Sequence, residues 1–419
     1  MLMEFADKKV LVCGTAKSGQ AALELLKSLG AKATIQDINA NDIIEGYDLV
    51  VISPGIPFDL APLARAREGG TPIWGEIELA YRLCPCPIIA ITGTNGKTTV
   101  TTLVGEIMQR HNGKTVIVGN IGIPFTQHVL SLTPENWVVA EVSSFQLETT
   151  HEFAPKISAV LNMTPDHLDR HKTMDIYTYT KERIFANQKP DDFAVLGYDN
   201  QITRGMRPKC KTIFFSAKER TGVSVYLDGD IIKSDNFEIV DVSKTKILPE
   251  NALAATALCL CAGVLPETIA EGLLDFKGVA HRIEYVTTIN DIEFYNDSKA
   301  TNTDSAIKGL EAMKRPTVLI GGGYDKGADF EDWIRCFPDK VKHLIVLGDV
   351  AGHIKSCCHD MGYDQVTQVE TLEEAVKLAY SKADPGDAVL LSPACASWDM
   401  FENFEQRGDL FKRQSLMLK

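Results

Sequence analysis

The sequence predicts an α/β protein of three domains, each built around a mostly parallel sheet. Three observations carry that expectation. Short β-branched apolar runs alternate with helical patterns along the whole chain, the pattern of strands covered by helices on both faces. The alternation restarts near residues 76 and 278. Many of the runs end in turns rich in glycine and polar residues, and sheets of this class bind ligands just past the carboxyl ends of their strands. A chain of 419 residues with 45% hydrophobic content has enough apolar material for two or three cores.

Residues 8–13 form the first predicted strand, followed by GTAKSG (14–19) and a helix reaching Leu29. A second strand, Lys32–Gln36, ends at Asp37. A βαβ opening with glycines at both ends of its first turn and an acid after the second strand is Rossmann-like. Alone it suggests a nicotinamide cofactor, but the glycines serve tight turning and close helix–strand packing whichever nucleotide binds. A third strand, 49–53, runs into PGIP, and the first domain is expected to span 1–75.

The central domain, 76–278, opens with a helix near Glu76 and reaches IIAITGTNGKTT at 88–99. An apolar strand, a glycine loop with a lysine and two hydroxyls, and a helical pattern over 100–110 make a phosphate-binding loop. Its backbone N–H groups wrap phosphates, Lys97 reaches the β and γ oxygens, and the Thr98 hydroxyl can hold Mg²⁺. The first loop glycine is Gly93, whereas the general pattern places one at the position of Ile91. Further strands are predicted at 115–118, 137–142, 157–161 and 193–196, with helices over 175–187 and 251–262. Polar alternation from 212 to 242, including Asp228-Gly229, reads as an antiparallel hairpin region. The domain is expected to be a P-loop ATPase-like parallel sheet.

A third domain, 279–419, is again Rossmann-like. Strands are predicted at 283–286, 292–296, 317–321, 343–347 and 388–391, with helices at 303–313, 330–336 and 372–382.

Composition excludes some functions. The net charge of −13 with no basic block argues against nucleic acid or an anionic membrane as partner. The ten cysteines contain no CxxC pair and scatter through apolar segments, as reduced thiols do. The opening MLMEFADKKV has no apolar signal core, and no run reaches membrane-spanning length. A cytoplasmic protein acting on small molecules is expected.

Several polar clusters follow predicted strands: GNIG (119–122), Glu141 with SSFQ (143–146), and NMTPDHLDRH (162–171). A carboxylate at 141, beside the phosphate-loop strand, suits Mg²⁺. His167 has Asp166 and Asp169 for neighbours and could ligate a second metal or cap local structure. Lys181, on a predicted helix, reads by itself as a solvated surface charge. In the last domain His281-Arg282, YNDSKATN (295–302), GGGYDK (321–326) and SPACAS (392–397) offer cations and hydroxyls for anionic ligands.

These segments occur in the order found in the Mur ligases, which the sequence resembles over nearly its whole length: GTNGKTT, GNIG, EVSSFQL, DHLDRH, HRIE, NDSKATN, GGGYDKGADF and SPACASWDMFENFEQRG. The last four are most similar to the branch of the family that adds D-glutamate. The resemblance implies a three-domain, monomeric ligase that binds a UDP sugar on its first domain, ATP on the second and the incoming amino acid on the third, which closes on the reaction. It implies that Gly93, Thr94, Asn95, Gly96, Lys97, Thr98 and Thr99 cradle ATP, with Asn251, Arg282 and Asp297 as further contacts. Thr98 and Glu141 would hold one Mg²⁺, and His167 and a carbamylated Lys181 the second; Lys97, His167 and Lys181 are the implied catalytic residues. Thr15, Ala16, Asp37, Ser53 and Gly55 would line the UDP site. Asn120 would meet the muramoyl-alanine part and Ser143 would bind substrate, with Lys299 in the active-site turn and Thr301, Lys326, Ser397 and Phe404 on D-glutamate. The implied reaction activates the carboxylate of UDP-N-acetylmuramoyl-L-alanine as an acyl phosphate. Folylpolyglutamate synthetases share the loop, but the GTAKSG segment is not expected in them. A nucleotide-regulated binding module or plain NTPase is the other alternative; amino-acid-dependent phosphate release separates it.

Overall fold

The computed structural model describes residues 5–120, 123–234, 237–324 and 327–418. Two compact units divide the chain, Met1–Lys277 and Gly278–Lys419. The first unit carries two sheets. One has four parallel strands in the order Lys32–Gln36, Lys9–Cys13, Leu49–Ile52 and Ile73–Gly75. The other has nine, and the phosphate-loop strand Ile88–Thr92 lies third from one edge, paired in parallel with Trp137–Glu141 on one side and Ile157–Val160 on the other. Register places Ile91 opposite both Glu141 and Ala159. The carboxyl ends of three adjacent strands therefore open on one crevice.

Every residue of Ile88–Thr92 is buried, which explains its continuous apolar run rather than an alternating one. One hydrophobic core joins the two sheets of this unit. Phe5, Val10, Val12, Leu23 and Leu26 from the first pack in the same cluster as Ile77, Leu79, Val118, Phe125 and Val138 around the second.

The second unit has a six-stranded sheet in the order Glu284–Ile289, Ile292–Asn296, Ala388–Leu391, Thr317–Gly322, Val341–Leu347 and Val366–Gln368. Only the first of these runs antiparallel to its neighbour. Separate cores cover its two faces, one around Trp333 and Leu344, the other around Phe294 and Phe411.

Several expected elements shift. The helix after the phosphate loop begins at Lys97, not Val100, because Gly96 takes a left-handed φ of 83° and caps it directly. Within 212–242, Lys211–Ser216 pairs in parallel with Phe193–Gly197 and with Val225–Asp228, and only Val225–Asp228, Ile231–Ser234 and Phe237–Asp241 pair antiparallel with one another. The helix expected over 175–187 is α-helical over Met174–Glu182 and then tightens into a 3₁₀ turn, Arg183–Phe185. Ile283 has φ 46°, so its strand starts at Glu284. Helices at Ala61–Glu68, Pro266–Asp275, Ala351–Asp360 and Phe404–Met417 were not expected.

Candidate active site

The phosphate loop is held open by backbone pairing with the segment after Ile157–Val160. Asn162 accepts from the Asn95 N–H through its side-chain oxygen (2.8 Å), donates to the Asn95 carbonyl (3.1 Å), and takes the Thr94 N–H on its own carbonyl (3.0 Å). Thr94 Oγ1 donates to the Thr164 carbonyl and accepts from its N–H. A Cβ on Gly93 would press Leu161 at 3.0 Å, and one on Gly96 would meet Asn251 Oδ1 at 2.4 Å. Glycine is therefore required at both ends of the loop, and the Asn251 side chain lies against Gly96.

Two lysines converge on one carbonyl. Lys97 Nζ donates to the Gly93 and Thr94 carbonyls (3.0 and 2.8 Å), and Lys181 Nζ donates to the same Gly93 carbonyl (2.9 Å) and to Thr92 Oγ1 (3.2 Å). Lys181 is 1% exposed, so it is no surface charge. Burial first, then the nearby Lys97 cation, holds its pKa well below the usual lysine range, against the smaller pull of Asp166 and Glu141. A neutral amine is what that site favours.

Glu141 is 1% exposed. Its Oε1 accepts from Asn120 Nδ2 at 2.8 Å, while Oε2 is buried with no hydrogen-bond partner. An orphaned carboxylate oxygen beside a phosphate loop fits a hard cation such as Mg²⁺. The Thr98 side chain is buried at the first turn of the loop helix. His167 sits on left-handed backbone (φ 54°), its ring 4.9 Å from that of Phe145 and its Nε2 3.6 Å from Asp166 Oδ2. Among the described residues no three His, Cys, Asp or Glu side chains gather as a cation cage. The donor set therefore fits Mg²⁺ only as a partial shell, completed by phosphate and water oxygens.

On the first sheet, Asp37 accepts from both the Thr15 N–H (2.9 Å) and its hydroxyl (2.8 Å). Ser53 Oγ donates to Glu76 Oε1 (2.9 Å). Burial raises the Glu76 pKa to about 7, against the lowering pull of hydrogen bonds from Ser53 and Ser18. A cavity of about 250 Å³ joins Ala16 and Ser18 with Pro54, Glu76, Asn120 and Gln146. Ser143 caps the short helix Ser144–Leu147 in a reciprocal capping box with Gln146. Gly55 follows Pro54 in the same first-sheet turn.

In the second unit Asp297 is fully buried; Ser392 Oγ donates to it (2.9 Å), and Arg282 Nη1 lies 3.8 Å away. Burial raises its pKa to about 6, with Arg282 pulling it down. Lys299 Nζ stands 5.1 Å over the Phe404 ring, Thr301 is half-buried and Ser397 is buried. Lys326 lies outside the described residues.

Arg407 was missed by the sequence reasoning. It is 3% exposed and donates to Ser298 Oγ and to the carbonyls of Ser298, Cys395 and Ala396. It thereby ties the turn after Asn296 to the turn after Leu391. One helical turn from Phe404, within FENFEQRG, it had a position that could have drawn notice.

Family models describe two stretches of the chain: residues 91–259 match the Mur ligase middle domain and 281–395 the Mur ligase glutamate ligase domain. Similar full-length relatives include the UDP-N-acetylmuramoylalanine–D-glutamate ligases of Lachnospira eligens, 44% identical over 98% of this chain and 99% of that one, and of Thermoanaerobacter sp. strain X514, 45% identical over 98% of each. The same-named ligase of Clostridioides difficile is 42% identical over 98% of both chains. Among solved structures, the UDP-N-acetylmuramate–alanine ligase of Thermotoga maritima has the same fold with a TM-score of 0.65, at 18% identity over 98% of this chain and 100% of that one. The MurF ligase of that organism, solved with ADP, aligns with a TM-score of 0.61 at 14% identity, over 100% of this chain and 97% of the other.

Proposed function

The chain belongs to the Mur ligase family, and from that premise we propose that it is the ATP-dependent ligase joining D-glutamate to UDP-N-acetylmuramoyl-L-alanine in peptidoglycan precursor synthesis. The observation that carries the reading is the meeting of Lys97 and Lys181 on the Gly93 carbonyl beside the unpartnered oxygen of Glu141. The names of the full-length relatives support the choice of substrates.

A carboxylate is a poor acyl donor because oxide would have to leave. The muramoyl-alanine carboxylate therefore attacks the γ-phosphorus of ATP in line; ADP departs and an acyl phosphate forms. The D-glutamate amine adds to its carbonyl carbon, and the tetrahedral adduct expels inorganic phosphate. Lys97 offsets the charge that two approaching anions crowd together. The loop N–H groups from Gly93 to Thr99 orient the phosphates, with Asn251, Arg282 and Asp297 as further ATP contacts. Thr98 and Glu141 would hold one Mg²⁺, and His167 with a carbamylated Lys181 the second; bound there, Mg²⁺ supplies neutralisation of phosphate charge. Thr15, Ala16, Asp37, Ser53 and Gly55 take the UDP sugar, Asn120 the muramoyl-alanine, and Ser143 binds substrate. Lys299, Thr301, Lys326, Ser397 and Phe404 serve the D-glutamate side.

The domains are assigned as 1–75 for the UDP sugar, 76–278 for ATP and 279–419 for the amino acid, in a monomer of the cytoplasm. Among the described residues no helix is long and apolar enough to cross a membrane.

The test is a phosphate-release assay with ATP, Mg²⁺ and UDP-N-acetylmuramoyl-L-alanine across a panel of D- and L-amino acids. D-glutamate alone drives release above background. Release that ignores the amino acid would leave an NTPase and end the reading.

A further inference from the structure

We propose that Arg170 is a positioning residue that seats the sugar-nucleotide loop 53–56 against the segment carrying His167. This rests on the function proposed above only in naming the ligand of that loop. Arg170 lies on the short helix Leu168–His171, in the nine-stranded half of the first unit, yet its guanidinium reaches across to the four-stranded sheet. Nη1 donates to the Pro54 carbonyl and Nη2 to that of Ile56, both at 3.0 Å. Nε and Nη2 also donate to the two oxygens of Glu148, at 3.1 and 2.6 Å. The Arg170 Cζ lies 4.2 Å from the centre of the Phe145 ring, whose centre is 4.9 Å from that of His167.

The arrangement is specific to arginine. A planar fork can grip a carboxylate with two donors while offering others to carbonyls, and its face stacks on an aromatic ring; a lysine has one point charge for all of this. Glu148 is itself fixed, following the capped helix that begins just after Glu141. Its side chain and that of Arg170 are each 15% exposed, so solvent competes little.

The gripped loop follows the strand Leu49–Ile52 and contains Ser53 and Gly55. Ser53 leads to Glu76, and Pro54 and Glu76 both line the cavity of about 250 Å³ that also holds Ala16 and Asn120. Pro54 and Ile56 give Arg170 only their carbonyls, so the contact sets where the loop backbone stands and not what side chains it presents. A loop positioned this way governs how the UDP-sugar substrate is held. It touches none of the contacts from Asn162, Thr164 and Asn251 that brace the phosphate loop.

Steady-state kinetics of Arg170→Lys and Arg170→Ala test this, together with calorimetric titration of UDP-N-acetylmuramoyl-L-alanine in the absence of ATP and D-glutamate. Both variants should raise the KM for the UDP sugar about tenfold or more, with KM for ATP and for D-glutamate within about twofold of wild type. The calorimetric Kd should weaken by the same factor. Arg170→Lys keeps the charge and the stem, so it reports even where the alanine variant fails to fold. Equal rises in all three KM values, or a lowered Tm with every KM unchanged, would overturn the proposal. Calorimetry keeps the two readings apart. A wild-type protein that binds the UDP sugar but ignores D-glutamate would defeat the proposed function alone.

Discussion

At the scale of single residues, Lys181 separates what spacing can say from what burial decides. Nothing in YTYTKER distinguishes a buried helix lysine from a solvated one, and the solvated reading is the ordinary one for such a residue. The fold puts its Nζ 2.9 Å from the Gly93 carbonyl, out of water and near Lys97. Such a site disfavours a second cation, and a neutral amine is the form that adds CO₂ to become a carbamate. Lys181→Ala should lower kcat by roughly 10²–10³-fold, the range for removing a group that stabilises charge at a reacting phosphate. Formate or acetate should restore part of it by filling the vacated space, while Tm stays level because an unfavourably buried amine has been removed. Near-normal turnover in the phosphate-release assay would show that Lys181 has no catalytic part. Glu141 was readable from its strand end. The orphaned state of its Oε2 was not, since that depends on Asn120 taking only the other oxygen.

At the scale of elements, the strand–loop–helix from Ile88 to Asn112 was legible because each part has a local cause. The strand is a buried β-branched run, the glycines allow positive φ, and the helix starts where Gly96 permits it. Gly96→Ala tests how tightly the loop is specified. The new Cβ would stand 2.4 Å from Asn251 Oδ1 on left-handed backbone, a conformation that costs a non-glycine residue about 1–2 kcal/mol. Asn251 must move, so KM for ATP should rise about tenfold, with KM for the UDP sugar near wild type. An unchanged ATP KM would separate Asn251 from nucleotide binding. Among the helices missed, Ala61–Glu68 carries three arginine and glutamate charges in eight residues and reads as a polar connection. Lys211–Ser216 falls in the stretch expected to form a hairpin, yet its partner is the parallel Phe193–Gly197, a choice that only the neighbouring strand makes.

At the scale of the molecule, the packing of the two sheets in the first unit has a testable consequence. Phe5, Val10, Val12 and Leu26 bury themselves in a cluster completed by residues beyond 76, whereas the second unit encloses its own two cores. A fragment of residues 278–419 should therefore fold alone and unfold cooperatively, while 1–75 should remain largely unfolded, because excision exposes one face of its sheet. Circular dichroism melts of the two fragments decide it. A sharp transition in 1–75 would show that its remaining core, around Leu11, Val50 and Leu63, is sufficient.

What the sequence alone determined were the features with local physical causes: the α/β class, the strand ends that carry polar turns, the phosphate loop, and the order of motifs that marks the family. Periodicity, glycine and hydroxyl placement act over a few residues, so they can be read along the chain. Only the tertiary structure decided which distant groups share a volume. It placed Lys181 on the carbonyl of Gly93, Asn251 against Gly96, Arg170 on the backbone of Pro54 and Ile56, and Arg407 between two turns of the last sheet. Each of these contacts joins residues far apart in the chain through burial and strand order, and desolvation and charge proximity exist only once those neighbours have been brought together.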